Sequence, residues 1–127
     1  MKRLALFIVV LLSILGLASV SLAQRSDAAS NPAPLNKMPK DLEERYALSA
    51  LPPHLCEEAT VYLLDPARGY MLDRKGTNGF SCFVERIEQE RADFRNDVYA
   101  AVCFDAEGSE KIVPVWMDTA KMRAEGN

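Results

Sequence analysis

The spacing of apolar positions predicts a helix at the start of the folded part of the chain. Residues 39–51, PKDLEERYALSAL, open with a proline that suits a first helical turn, and acidic side chains follow near the N-terminal end. The Pro52-Pro53 pair ends the helix. We expect one apolar stripe to pack on the rest of the domain: Leu42, Tyr46, Ser49 and Ala50, with Leu51 at its edge.

Runs rich in β-forming residues, separated by turn residues, predict four strands after this helix. The runs lie at residues 61–64, 70–72, 80–85 and 98–105. The turn DPARG has aspartate first, proline next and a glycine that accepts a positive φ, while GTNG, residues 76–79, supplies a second tight turn. Because strands joined by tight turns pair antiparallel, the pattern predicts a four-stranded antiparallel β-meander.

The C-terminal part of the chain combines a charged segment, a turn and a second helix. Residues 87–97, IEQERADFRND, fit either a short solvated helix or a long connection. Residues 106–108 turn the chain, residues 112–113 extend the sheet, and a helix begins near Pro114 and is capped by Gly126. Its apolar spacing is carried by Trp116, Met117, Ala120 and Ala124. The sequence therefore predicts an α+β fold with an N-terminal helix, an antiparallel four-stranded β-meander and a C-terminal helix.

The first 23 residues have the three parts of a secretory signal peptide. Two cations precede a long apolar run, and Ser21-Leu22-Ala23 provides a cleavage site. The alternative is an uncleaved anchor, because 20 residues from Leu4 to Ala23 suffice to span a bilayer. Both alternatives place the rest of the chain outside the cytoplasm, and we expect a periplasmic or secreted protein.

The remaining chain divides into a linker and one domain. Residues 24–38 are polar, small and proline-bearing, which predicts a flexible linker, and residues 39–127 form a single small domain. Removal of residues 1–23 leaves 104 residues with 13 basic and 18 acidic side chains, a net charge of −5. An acidic domain of this size buries one core and is a poor candidate for binding nucleic acid.

Three cysteines in an oxidising compartment predict one disulfide and one leftover thiol. Cys82 and Cys103 lie in apolar, strand-like runs, whereas Cys56 lies in the loop-like stretch PPHLCEE. Cysteines on adjacent strands reach each other more easily than either reaches a loop, so we favour the pair Cys82–Cys103. The alternative for Cys82, a reactive thiol, requires exposure and a lowered pKa.

Two stretches resemble binding loops without fitting them. A phosphate-binding loop reads G-x-x-x-x-G-K-[ST] and leads into a helix, but in RKGTNGFSCFVER the lysine precedes the first glycine and a β-rich run follows. Residues 105–110, DAEGSE, have acids at alternate positions but lack the spacing of a calcium loop. We therefore expect turns at both places, and no cofactor or metal.

The remaining candidates for chemistry are one histidine and a set of aromatic residues. His54 stands two residues before Cys56, half of what a metal site or a nucleophile–base pair needs. A loop histidine beside a partnerless cysteine is the simpler interpretation. Five aromatic residues have strand and helix spacing and are expected in the core rather than in a ligand groove: Phe80, Phe83, Phe94, Phe104 and Trp116.

Five stretches of this chain are similar to an uncharacterised family of exported bacterial proteins. They read ERYALSALPPHL, ATVYLLDPARGY, RKGTNGFSCFVER, VYAAVCFDAEG and VPVWMD, and span about residues 43–126. The resemblance implies a bacterial exported protein with no established activity, and related chains that continue beyond this one. Cys56 stands where that family has another residue, which fits an odd thiol.

These observations favour a non-enzymatic binding or interaction module, with an unknown small ligand or protein as partner. The first alternative is a hydrolase-like or other enzyme, with His54 and carboxylates in one deep pocket. The second is a fragment of a longer protein without activity of its own, for which an exposed apolar patch on the C-terminal helix would be evidence.

Overall fold

The structure is a computed structural model that describes residues 34–88 and 93–126. The predicted signal peptide and residues 24–33 of the predicted linker lie outside these ranges. The helices are α1 (Lys40–Leu48), α2 (Pro53–Cys56), α3 (Ala106–Lys111) and α4 (Val113–Ala124). The strands are β1 (Thr60–Asp65), β2 (Gly69–Arg74), β3 (Ser81–Glu85), β4 (Ile87–Glu88), β5 (Asp93–Phe94) and β6 (Ala100–Phe104).

The main sheet is mixed and has the strand order β2-β1-β3-β6. β1 pairs antiparallel with β2 and parallel with β3, and β3 pairs antiparallel with β6. The α+β class is confirmed, but the purely antiparallel meander is wrong. The chain leaves β2, crosses the end of β1 and inserts β3 on the far side of β1, instead of returning beside β2.

The crossing explains why GTNG is not a hairpin turn. A Cβ atom on Gly76 would lie 2.0 Å from the carbonyl oxygen of Glu58, so the loop passes directly over backbone and tolerates no side chain there. The amides of Thr77 and Asn78 donate to the same Glu58 oxygen at 2.8 and 3.2 Å, and the Asn78 side chain donates to the Leu55 carbonyl. The predicted tight turn at residues 76–79 is therefore a crossover loop.

Helices cover both faces of the sheet, so the central strand β3 is buried on its two sides. α1 packs on one face, where Ala47 meets Cys82 and Val84. α4 packs on the other, where its buried residues Val113 and Ala120 join the cluster around Phe83. The five aromatic residues expected in the core are buried there or pack against it: Phe80, Phe83, Phe94, Phe104 and Trp116. The centre of such a strand is expected to be apolar, and Cys82, Phe83 and Val84 are fully buried.

The C-terminal part contains two helices where the sequence predicts a turn, a strand extension and one helix. Asp105 caps α3 by accepting the amide of Gly108 at 2.9 Å, so residues 106–108 form a helical turn. Ile112 joins α3 to α4 and Val113 begins α4, so residues 112–113 do not extend the sheet. The predicted helix near Pro114 is confirmed as α4, and Gly126 follows it with a φ of 80°.

The charged segment, for which a helix or a connection was open, contributes a short strand pair. β4 and β5 pair antiparallel through Ile87 with Phe94 and Glu88 with Asp93. Residues 34–38, which the sequence assigns to the flexible linker, lie against the domain. The Asn36 amide donates to the Asn96 side chain at 2.8 Å, and Leu35 packs on the core.

The disulfide joins Cys82 and Cys103, the pair that the sequence favours. These residues are register partners across β3 and β6, with Cα atoms 4.2 Å apart. Cys56 is the free cysteine, and its thiol lies 3.5 Å from the carbonyl oxygens of Leu48 and Pro52. The disulfide therefore ties the edge strand β6 to the centre of the sheet.

Replacing Cys82 and Cys103 together by alanine is expected to lower the free energy of unfolding by about 3 kcal/mol, because the unfolded chain loses a loop constraint. Urea unfolding followed by the fluorescence of Trp116 measures the loss, because the ring centre of Trp116 lies 6.0 Å from that of Phe83 in the core. Cys56→Ser, the matched control, is expected to keep most of the stability. Equal midpoints for the double variant and the wild type would contradict a stabilising role for the disulfide.

Candidate functional site

α1 faces the sheet with a different side from the one that its apolar residues predict. Leu42 and Tyr46 are 47% and 36% exposed, whereas Glu43 and Ala47 are 2% and 0% exposed. The predicted packing stripe through Leu42 and Tyr46 is therefore wrong. The small side chain of Ala47 lets the helix approach β3 closely. The carboxylate of Glu43 accepts a hydrogen bond from a backbone amide of the sheet.

The hydrogen bond goes to β1, beyond the point where β3 stops pairing with it. The parallel register between β1 and β3 covers Thr60 and Val61, so farther along β1 the amide of Leu64 needs another acceptor. A carboxylate oxygen of Glu43 accepts it at 2.7 Å. An unpaired buried amide costs about 1–3 kcal/mol, which explains why a carboxylate occupies this position of the helix.

A second buried charge, the guanidinium of Arg86, holds two loops together. Arg86 is 1% exposed and donates to the carbonyl oxygens of Asn36 and Arg95 and to the side-chain oxygen of Asn96, each at 3.3 Å. Its guanidinium carbon lies 4.1 Å from the centre of the Tyr99 ring. One side chain thus fixes the segment before α1, the loop before β6, and the position of an aromatic ring.

The two buried charges influence each other. Burial raises the pKa of Glu43, and the hydrogen bond from Leu64 and the positive charge of Arg86 oppose that rise. Burial also raises the pKa of Tyr70, whose hydroxyl donates to the Val84 carbonyl at 2.7 Å. Within the described residues no fully buried side-chain nitrogen or oxygen lacks a hydrogen-bond partner. Because these buried polar groups are hydrogen-bonded, they favour a rigid interior beneath the surface of the domain.

The exposed side of α1 forms one wall of an open groove of about 430 Å³, here called the tyrosine groove. Its lining is Met38, Pro39, Leu42, Tyr46 and Tyr99, together with Asn36 and Lys37. The Tyr46 hydroxyl donates to the Tyr99 carbonyl at 3.0 Å and ties the two walls to each other. The groove is an apolar surface built on rigid parts.

A smaller cleft of about 170 Å³ lies beside Glu43, between the N-terminal end of α1 and the β1–β2 hairpin. Ion pairs cross its rim: Lys40 with Asp73 at 2.6 Å, and Arg68 and Lys37 with Asp65 at 3.1 and 3.5 Å. The cations are largely exposed, so each pair contributes little to stability. The charged side chains at the rim of this cleft therefore pair with each other.

The residues that the sequence singled out for chemistry do not meet in one place. His54 is exposed on α2 and is absent from the lining of the tyrosine groove, of the cleft beside Glu43, and of a third hollow near Cys103. Asp105 is engaged as a helix cap. Within residues 34–88 and 93–126, no group of three or more histidine, cysteine, aspartate or glutamate side chains could hold a metal ion.

The structure also contains functional candidates that sequence reasoning missed. Glu43 and Arg86 carry no local signal of burial, since each stands where an exposed charge is the usual expectation. Tyr99 lies within the predicted strand 98–105, whereas β6 begins one residue after it. The one available signal was the apolar pair Leu42 and Tyr46 on a helix that was also rich in charge.

Comparison of the chain with protein-family models, with curated proteins and with solved structures finds no match. Among the helices of the described ranges, none is long and apolar enough to cross a membrane. The geometry of the described residues therefore carries the functional argument.

The raised pKa of Glu43 predicts a pH dependence of stability. Above the ordinary carboxyl value of 4.5, folded Glu43 retains protons that the unfolded chain releases, so the free energy of unfolding falls until the pH passes the raised pKa. At lower pH the trend is opposite, because hydrogen bonds from Arg68 and Arg95 lower the pKa of Asp65 and of Asp97.

We expect Glu43→Gln to remove the fall above pH 4.5, since glutamine keeps the acceptor for Leu64 and does not titrate. Urea unfolding at a series of pH values measures the slope. The matched control, Asp41→Asn, changes an exposed acid on the same helix and should keep the wild-type slope. An unchanged slope in the glutamine variant would show that Glu43 is not the titrating group.

Arg86→Lys is expected to lower the free energy of unfolding by about 2–4 kcal/mol, because an ammonium cannot reproduce three forked hydrogen bonds and a stacked ring. Urea unfolding with Trp116 fluorescence measures it. Arg45→Lys, a change on the exposed side of α1, should stay within about 0.5 kcal/mol of the wild type. A loss equally small at position 86 would contradict the role assigned to the guanidinium.

Proposed function

We propose that this protein is an exported, non-enzymatic binding module that holds an apolar partner in the tyrosine groove. The observation that carries the proposal is the orientation of α1, which buries Glu43 and leaves Leu42 and Tyr46 exposed. A helix that turns its larger apolar side chains outward loses the burial energy of those groups unless a partner covers them.

The build of the groove supports recognition by pre-formed contacts. Tyrosine contributes a large contact area with few rotatable bonds, so it costs little entropy when a partner binds. The Tyr99 ring is already stacked on Arg86, and the Tyr46 hydroxyl is already bonded to the Tyr99 carbonyl. Because these side chains are already held in place, less conformational entropy is lost when a partner binds.

The geometry supports a binding role better than an enzymatic one. The enzymatic alternative needs His54 and a carboxylate with a perturbed pKa in the same pocket. The carboxylate whose pKa is raised is Glu43, and His54 does not line its cleft. The disulfide Cys82–Cys103 is compatible with an oxidising, exported location, where a small binding module needs such a covalent link.

A second candidate function is supported by the outer side of α4. Ile112, just before α4, and Val115 and Met122 within it are 44%, 63% and 51% exposed, and their spacings of three and seven residues place them on one side of the helix. A structural role, in which this stripe docks on another chain or domain, would cover them. The stripe lacks the aromatic walls and the fixed loops of the tyrosine groove, so we rank it second.

Site-specific photo-crosslinking distinguishes the two surfaces. A photo-reactive amino acid placed at Leu42 and, separately, at Val115 reports which surface touches a partner in the organism that encodes the protein. We expect a discrete adduct from position 42 that disappears when Tyr99→Ala is added, because that change removes one wall of the groove.

An adduct from position 115 alone would favour the structural role instead. Absence of an adduct at both positions, with the protein shown to be exported and folded, would contradict the proposed binding function. A circular dichroism spectrum of each variant confirms that the fold has survived.

A further inference from the structure

We infer that the occupant of the tyrosine groove is a proline-rich segment in the polyproline II conformation, an inference that rests on the proposed function. The first argument is the state of the backbone acceptors in the lining. The carbonyl oxygen of Asn36 accepts from Arg86, that of Pro39 accepts from two α1 amides, and that of Tyr99 accepts from the Tyr46 hydroxyl.

Because each of these three carbonyl oxygens already accepts a hydrogen bond, it is a poorer acceptor for a partner amide, and a buried amide left unpaired costs about 1–3 kcal/mol. Proline has no amide hydrogen. A run of prolines is therefore the extended peptide that can enter this groove without that cost.

The second argument is charge. Lys37 is the charged residue of the lining, and its ammonium lies 3.5 Å from the carboxylate of Asp65. An acidic group bound in the groove would meet only Lys37, whose charge is shared with Asp65. A basic group would meet no carboxylate among the lining residues. A neutral segment matches this surface, whereas an amphipathic charged helix or an anionic peptide does not.

The third argument is shape and entropy. Leu42 and Tyr46 are separated by about 6 Å along the helix axis, so one three-residue turn of polyproline II, about 9 Å long, can contact both side chains. The flat rings of tyrosine can pack on the rings of proline, and neither the protein nor the ligand loses much side-chain entropy. Grooves lined by aromatic side chains bind this conformation because the ligand is ordered before it binds.

The carbonyl groups of such a ligand need donors, since polyproline II has no internal hydrogen bonds. The phenol of Tyr99, a residue that is 44% exposed, can supply one at the groove. The assignment of roles is then specific: the rings of Tyr46 and Tyr99 and the side chain of Leu42 provide the contact area, and the Tyr99 hydroxyl provides polarity.

The test is a titration of the whole secreted chain with a capped ten-residue polyproline peptide, followed by amide chemical shifts. A glycine–serine peptide of equal length is the matched control ligand. We expect saturable shifts at Leu42, Tyr46 and Tyr99, with a dissociation constant between about 10 μM and 1 mM. The glycine–serine peptide should produce no saturable shift.

Three variants make the test sharper. Leu42→Ala and Tyr99→Phe change exposed groups and should leave the fold intact, so loss of binding cannot be attributed to unfolding. We expect each to weaken polyproline binding by about 3-fold to 10-fold, the first by lost contact area and the second by the lost donor. Val115→Ala, on α4, should bind as the wild type does.

No saturable shift at 5 mM polyproline, equal binding of the glycine–serine peptide, or shifts centred on α4 would each overturn the assignment. These failures are separate from failure of the proposed function. If the crosslink at Leu42 forms in cells while polyproline does not bind, the groove is a binding site for another partner and this inference alone is wrong.

Discussion

The buried guanidinium of Arg86 is the interaction on which the arrangement of the functional surface depends. It satisfies carbonyl oxygens of Asn36 and Arg95, and its face supports the Tyr99 ring. These groups belong to segments that are far apart in the sequence and that form no strand with each other. The guanidinium joins these segments to each other, in addition to the packing of Leu35 and Phe94 on the core.

A buried cation requires an answering negative charge, and this requirement links the core to the orientation of α1. Glu43, whose pKa the positive charge of Arg86 holds down against burial, also accepts the buried amide of Leu64 in β1. With Glu43 and Ala47 turned toward the sheet, Leu42 and Tyr46, which stand one position before them, lie on the exposed side of the same helix. The exposed apolar surface therefore accompanies the choice of Glu43 and Ala47 as the residues of α1 that face the sheet.

The sequence predicts what depends on local chemistry. The strand-like runs, the helix of Trp116 and Ala120, and the pairing of Cys82 with Cys103 follow from spacing and residue type. The crossover at Gly76 does not, because a glycine that permits close backbone contact looks identical to one that permits a tight turn. The burial of Arg86 was equally hidden, since its partners lie up to 50 residues away.

The same logic explains why the candidate site escaped a search for motifs. Motifs report chemistry that a short stretch carries alone, whereas the tyrosine groove joins α1 to a loop 53 residues farther along the chain. We infer that its specificity comes from backbone carbonyl oxygens that already accept hydrogen bonds, and not from catalytic side chains. A surface of this kind selects a ligand by the hydrogen-bond donors that the ligand lacks, and proline is the residue that lacks them.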